Sequence, residues 1–174
     1  ILGYLIESVS GKPLDKYLHE NLYAPLGLRN IAFCPKQKSY GKIAATSQGN
    51  PFEYKMIAED DFGYTCDEYI DAFLGWRRYT LHGEVNDGNS YYAHGGVAGH
   101  AGLFATADNL KILAELLINK GVFNGKTVIK PETIEEFLRA DEFGNGLGWS
   151  LNPKVIKAEG SPTGTFGHTG FTGC

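Results

Sequence analysis

The chain has 174 residues, 43% of them hydrophobic, and a formal net charge of −4. That length buries one respectable core and no Pro-, Gly- or Ser-rich linker divides it, so a single domain over residues 1–174 is expected. Mild acidity excludes binding driven by attraction to nucleic acid or to an anionic membrane surface, and no run approaches the roughly 20 apolar residues that span a bilayer.

In chain order, Ile1, Leu2, Leu5, Ile6 and Val9 recur at helical spacing and Gly11 supplies the stop. These first residues read as the middle of a buried helix without a cap, which places the natural start upstream and leaves the compartment unassigned. Pro13 suits the first turn of a second helix carrying Leu14, Tyr17, Leu18 and Leu22, ended by Pro25 and Gly27. From Asn30 to Asp61 the periodicity is lost, and a long irregular connection is expected with a short strand near Ile43. Lys36, Lys38 and Lys42 belong to it as a solvated basic stretch.

Asp67 to Leu74 reads as a short helix and Arg77 to Val85 as an extended segment. Thr106 is a good N-cap for a helix with an apolar stripe at Leu110, Leu113, Leu116 and Leu117, closed by Gly121. Asn124-Gly125 marks a turn, Thr127 to Ile129 an extended piece, and Pro131 the start of a helix with Ile134, Phe137 and Leu138 facing inward. Leu147 to Leu151 and Thr165 to His168 read as two strands joined by a polar loop. The predicted class is α+β and predominantly helical, turning to strand at the end.

Cys34, Cys66 and Cys174 are widely separated, match no zinc spacing, and read as unspecialised thiols. His82, His94, His100 and His168 form no His-x-x-x-His pair, so their spacing gives no support to a metal site. No nucleotide fingerprint accompanies the glycines, and no cofactor is expected. The 23 glycines instead gather in short clusters, which indicates tight backbone approaches around a site. One cluster runs from Gly95 to Gly102 and on to Asp108. The other is Gly167-His168-Thr169-Gly170-Phe171-Thr172-Gly173, which offers an imidazole and a hydroxyl on one strand. Alone, that run fits either a strand edge that binds an acyl substrate or a hairpin with a surface histidine, the second being the commoner arrangement.

Four stretches in order, Leu2-Gly3 to Leu14, Ala24-Pro25-Leu26-Gly27-Leu28, Gly95 to Asp108 and His168-Thr169-Gly170, resemble the β-lactamase and penicillin-binding protein superfamily of serine hydrolases. The nearest branch is the class C β-lactamase-like one, with its esterases and D-amino-acid peptidases. The resemblance implies a partial β-lactamase/transpeptidase-like fold, a helical subdomain with a few antiparallel strands, truncated at both ends. It also implies acyl transfer through a serine ester on a β-lactam, a D-Ala-terminated peptide or a simple ester.

Of the three family motifs, the third is matched: His168 would donate beside the nucleophile, Thr169 would contact the substrate, and Gly170 would leave room for the acyl chain. The backbone N–H of Phe171 would form half of an oxyanion hole, a kind of donor whose removal costs on the order of 3 kcal/mol in the barrier. Histidine in place of the usual lysine argues against strict β-lactamase action, because a permanent cation is lost.

The other two motifs are not found where the family places them. No Tyr-x-Asn occurs, and Ser39-Tyr40-Gly41-Lys42 is a literal Ser-x-x-Lys in surroundings that disfavour the helix needed to put both side chains on one face. The nucleophile and base are therefore expected outside these residues, and the fragment itself is expected not to turn over. His100 is read as fixing its loop. In Glu84-Val85-Asn86-Asp87, Asn86 stands where esterase-like relatives carry histidine, and Asp87 is read as a loop anchor. The alternative reading is a noncatalytic binding domain appended to a larger enzyme. A terminal strand edge is further expected to promote self-association or to leave the His168 segment displaced.

Overall fold

The computed structural model describes residues 1–35, 41–59, 61, 70–156 and 159–170. The chain divides into two compact units, Ile1–Asn109 and Leu110–Cys174. Helices outweigh strands throughout, as the α+β reading requires. Among the described residues, however, the strands form three two-stranded antiparallel pairs distributed along the chain instead of gathering at its end.

In the first unit, α1 (Leu2–Ser10) stops where expected: Gly11 takes the left-handed conformation and donates its N–H to Glu7 O at 2.8 Å. Its inward face differs from the expected one. Ile1, Leu2, Leu5 and Val9 are exposed, while Gly3, Ile6, Glu7 and Ser10 form the partly covered side. The cause lies at Gly3, where an added Cβ would sit 3.2 Å from Leu14 Cδ2 and 3.4 Å from Gly99 N. The helix therefore docks through its small residue, and Glu7 adds a hydrogen bond from the Leu14 N–H at 2.8 Å. The apolar stripe faces away.

Helix α2 (Leu14–Leu18) runs on into a π-helical turn, His19–Tyr23, and Leu14, Tyr23, Leu26, Leu28 and Ile31 are core residues. Burial pushes the Tyr23 phenol up to about 12. A raised folded-state value means that the neutral phenol is the stabilised form. Its contribution is complete below about pH 10 and is lost as pH rises towards 12. Urea titrations of the parent chain and Tyr23→Phe should therefore agree in slope below pH 9 and diverge above 10, with the parent falling faster; parallel curves would refute this role for Tyr23.

The described parts of the stretch read as irregular hold two strands and a helix. Strand β1 (Ile31–Phe33) pairs antiparallel with β4 (Leu103–Ala105), Ile31 opposite Ala105 and Phe33 opposite Leu103. Strand β2 (Ala45–Gln48), close to the strand expected near Ile43, pairs with β3 (Thr80–His82) inside the predicted extended segment. Between them α3 (Pro51–Ala58) begins with Asn50, whose side chain accepts the Phe52 N–H at 2.9 Å, and with Pro51 in the first turn. Its buried residue is Glu53, so the apolar periodicity that normally betrays a helix is inverted. Of the short helix expected from Asp67 to Leu74, residues 67–69 lie outside the described set, Ile70–Ala72 form a 3₁₀ turn, and Phe73 and Leu74 are not helical.

The division between units falls within α5 (Ala107–Ile118), whose start is capped as expected by Thr106 Oγ1 accepting the Asn109 N–H at 3.3 Å. In the second unit Leu116 is fully buried, and Gly121 donates back to Leu116 O at 2.7 Å. Asn124 and Gly125, both at positive φ, turn β5 (Val122–Phe123) into β6 (Lys126–Thr127), a type I′ arrangement that matches strand twist. Helix α6 (Pro131–Phe137) follows with Ile134 buried; Phe137, expected inward, is 45% exposed.

The predicted strand Leu147 to Leu151 is instead a tight turn, because Gly148 at φ 77 breaks extension and Asn145 bridges Ser150 across it. Ser150 and Gly167 then exchange both backbone hydrogen bonds, at 2.9 and 3.0 Å, so the two segments expected as strands do meet, through one antiparallel bridge.

Candidate functional site

The Gly95–Asp108 cluster is built around helix α4 (Gly88–His94). Asp87 is its N-cap, with Oδ1 accepting the Ser90 N–H at 2.7 Å, and Gly95 closes it in the left-handed conformation. The same Asp87 Oδ1 lies 3.1 Å from His100 Nε2. A carboxylate only accepts, so the histidine carries its proton on Nε2. His100 thus ties the glycine loop to the start of α4, the fixing role expected of it, and Asp87 anchors both. Replacing Asp87 with alanine should cost about 1–2 kcal/mol, whereas asparagine should keep most of the cap; urea midpoints of the two variants distinguish these outcomes.

Behind this loop sits a group the sequence reading did not find. Arg77 and Glu53 are both buried, at 4% and 7% exposure, and form an ion pair. Arg77 Nε donates to Glu53 Oε1 at 2.9 Å, its Nη2 to the same oxygen and to Asn86 O at 2.7 Å, and its Nη1 to Val85 O and to Glu84 Oε1 at 3.4 Å. The guanidinium lies over the Tyr91 ring, 4.2 Å from its centroid. Burial opposes its charge, but Glu53 and Glu84 outweigh that and raise its pKa.

Asn86 belongs to the same assembly. Its side chain donates to Ser47 Oγ at 2.6 Å while its carbonyl accepts from Asn50 Nδ2 at 2.9 Å. This position therefore locks β2, α3 and the start of α4 together. The signal available in advance was local: Asn50-Pro51 with Glu53 three residues after the cap is a helix-start pattern.

The remaining histidines have separate neighbours. His82 Nε2 contacts Ile43 O, His94 Nδ1 lies 2.9 Å from the Tyr4 hydroxyl, and the His94 and His100 rings meet edge-on at 6.2 Å. Among the described residues no group of three or more His, Cys, Asp or Glu side chains is arranged to hold a metal ion. No helix of the described residues is long and apolar enough to cross a membrane. Cys34 is free and exposed; Cys66 and Cys174 lie outside the described residues.

In the second unit, the segment carrying His168, Thr169 and Gly170 leaves the Ser150–Gly167 bridge and is exposed, with the Phe166 and Trp149 rings edge-on at 5.2 Å just before it. His168 Nδ1 donates to Thr169 O, which leaves Nε2 as the outward nitrogen. Phe171, the expected oxyanion donor, lies outside the described residues, as does Ser39 of the literal Ser-x-x-Lys; Gly41 and Lys42 are exposed.

Comparison with known proteins matches residues 1–174 to the family described as Beta-lactamase. Among curated relatives, a protein of Escherichia coli K12 named "Putative D-alanyl-D-alanine carboxypeptidase" is 33% identical over 180 residues, which cover 99% of this chain and 38% of the relative. One of the same name from Salmonella paratyphi B is 35% identical over 182 residues, 99% of this chain and 39% of the relative. The chain thus spans under two fifths of the length of these relatives.

Among solved structures, a penicillin-binding protein homolog from Caulobacter crescentus aligns with a TM-score of 0.59 at 18% identity, over 97% of this chain and 44% of that one, a likeness of fold. With a family match over every residue, and a fold shared with a penicillin-binding protein homolog, the chain belongs to the β-lactamase family of the β-lactamase and penicillin-binding protein superfamily.

Proposed function

We propose that this chain is part of a serine hydrolase that transfers acyl groups through a serine ester, with a D-Ala-terminated peptide, a β-lactam or a simple ester as substrate. The observation that carries the reading is the exposed His168-Thr169-Gly170 segment, held at its start by the Gly167–Ser150 bridge, in a chain of this family. The names of the curated relatives favour the peptide among these substrates. On this reading His168 donates beside the nucleophile, Thr169 contacts the substrate carboxylate or carbonyl, and Gly170 gives the acyl chain space. The Phe171 N–H completes an oxyanion hole with the N–H of the nucleophilic serine.

The 174 residues contain no Tyr-x-Asn, and their single Ser-x-x-Lys, at Ser39, is read as a coincidence. The isolated chain is therefore expected to hydrolyse neither nitrocefin nor p-nitrophenyl acetate above the buffer rate, and to take up no mass from a fluorescent penicillin. Turnover that disappears in Ser39→Ala would refute this. In a longer protein containing the chain, acylation of a serine outside residues 1–174 is the expected result. Failure of any serine to acylate would favour a binding domain instead. Among the described residues each sheet has two strands, and a further strand could add to it, so the isolated chain should self-associate, with a sedimentation coefficient that rises with concentration. A constant monomer value would refute that part.

A further inference from the structure

Between α3 and the turn leading into β3, the first unit holds an open cleft of about 440 Å³, within the usual size range of small-molecule sites. Its floor is the Arg77–Glu53 pair, whose charges offset one another. One wall is aromatic: Tyr54 and Trp76 stand edge-on at 5.6 Å, and Phe73 packs on Trp76 at 4.9 Å. The indole N–H donates to Ile70 O at 3.1 Å, which fixes the ring in place. Asp71, the other acid of the cleft, is occupied by the Tyr54 hydroxyl at 2.7 Å.

Arg78 is the exception in this assembly. Its backbone is pinned, the carbonyl accepting from Gln48 Nε2 at 2.9 Å, yet its exposed guanidinium has no ion-pair or hydrogen-bond partner among the described residues. A planar fork of N–H donors beside aromatic rings matches a carboxylate attached to a flat body. A cationic ligand would be repelled by it, and an uncharged one would gain no ion pair from it.

We propose that this cleft binds a small monocarboxylate with a flat ring body, Arg78 supplying the ion pair and Trp76 with Tyr54 the apolar wall. The site uses no nucleophile and no residue of the His168 segment, so it stands or falls independently of the acyl-transfer reading.

The probe is 2-naphthoate, with uncharged 2-naphthylmethanol as control, titrated into the 174-residue chain by calorimetry and by NMR of the two indole N–H signals, assigned with Trp149→Phe. Saturable 1:1 binding with a dissociation constant on the order of 1 mM is expected for a ligand of this size, with the Trp76 signal moving. The alcohol should bind at least about 10-fold more weakly, as should 2-naphthoate to Arg78→Gln, a change at an exposed side chain whose fold is checked by circular dichroism. Equal affinity of acid and alcohol, unchanged binding in Arg78→Gln, movement of the Trp149 signal alone, or no saturation would each overturn the proposal.

Discussion

Replacing Arg77 with alanine should destabilise the first unit by about 3–5 kcal/mol, a large part of the roughly 5–15 kcal/mol that holds an ordinary domain folded. The loss exceeds the worth of the ion pair itself. Glu53, at 7% exposure, would keep its desolvation cost and lose the cation that offsets it; the carbonyls of Val85 and Asn86 would lose donors at the same time. Arg77→Lys should recover little, because an ammonium cannot reach Glu53, Val85 O and Asn86 O together from one stem and does not lie flat on Tyr91 as the guanidinium does.

The double replacement Arg77→Met with Glu53→Leu should be far less harmful than Arg77→Ala, since it removes the orphaned charge along with its partner. Urea midpoints at constant m-value measure all three. A single-variant cost below about 1 kcal/mol would mean that water reaches Glu53 and that the pair behaves as a surface one.

Gly102→Ala should be nearly as damaging, by about 3 kcal/mol, for a reason of backbone geometry alone. Gly102 has φ 112, a region that L side chains rarely adopt, and an added Cβ would lie 2.2 Å from Gly96 O and 3.3 Å from the Phe33 ring. Relief would have to come from moving the 96–102 loop or β4, which begins at the next residue and pairs with β1. Strain of this kind and overpacking each cost on the order of 1–3 kcal/mol. Gly125→Ala is the control: its φ is also positive, at 73, but an added Cβ meets nothing within 4 Å, so only the conformational part of the cost should appear. Equal effects of the two substitutions on thermal midpoint would show that the loop yields easily and that the close approach at Gly96 does not constrain it.

Elements with local signals could be read in advance. Gly11 ends α1, Thr106 and Gly121 bracket α5, Asn124-Gly125 turns β5 into β6, and Pro131 opens α6; in each case the residue that decides lies within a few positions of what it decides. The resemblance carried by the two glycine clusters likewise pointed to the β-lactamase and penicillin-binding protein superfamily, to which the match over residues 1–174 assigns the chain. Three features escaped because their causes are distant. Strand β1 has three residues and its partner lies about 70 positions away. Helix α3 buries an acid where a periodic helix buries an apolar residue. Helix α1 turns Gly3 inward because Gly99, far along the chain, comes within contact of it.

The residues of the third motif, His168, Thr169 and Gly170, are a matter of sequence, for their order alone carries the resemblance. The setting that would make such residues work is a matter of tertiary structure. Composition ranks Arg77 and Glu53 as solvated charges and Gly102 as one loop glycine among many. Only packing makes the first two a buried pair that must stay intact, and only the approach of Gly96 O makes the third irreplaceable. Propensity and capping act over a few residues and are written in the sequence; desolvation and excluded volume depend on which distant groups fold against a side chain, and are decided when they do.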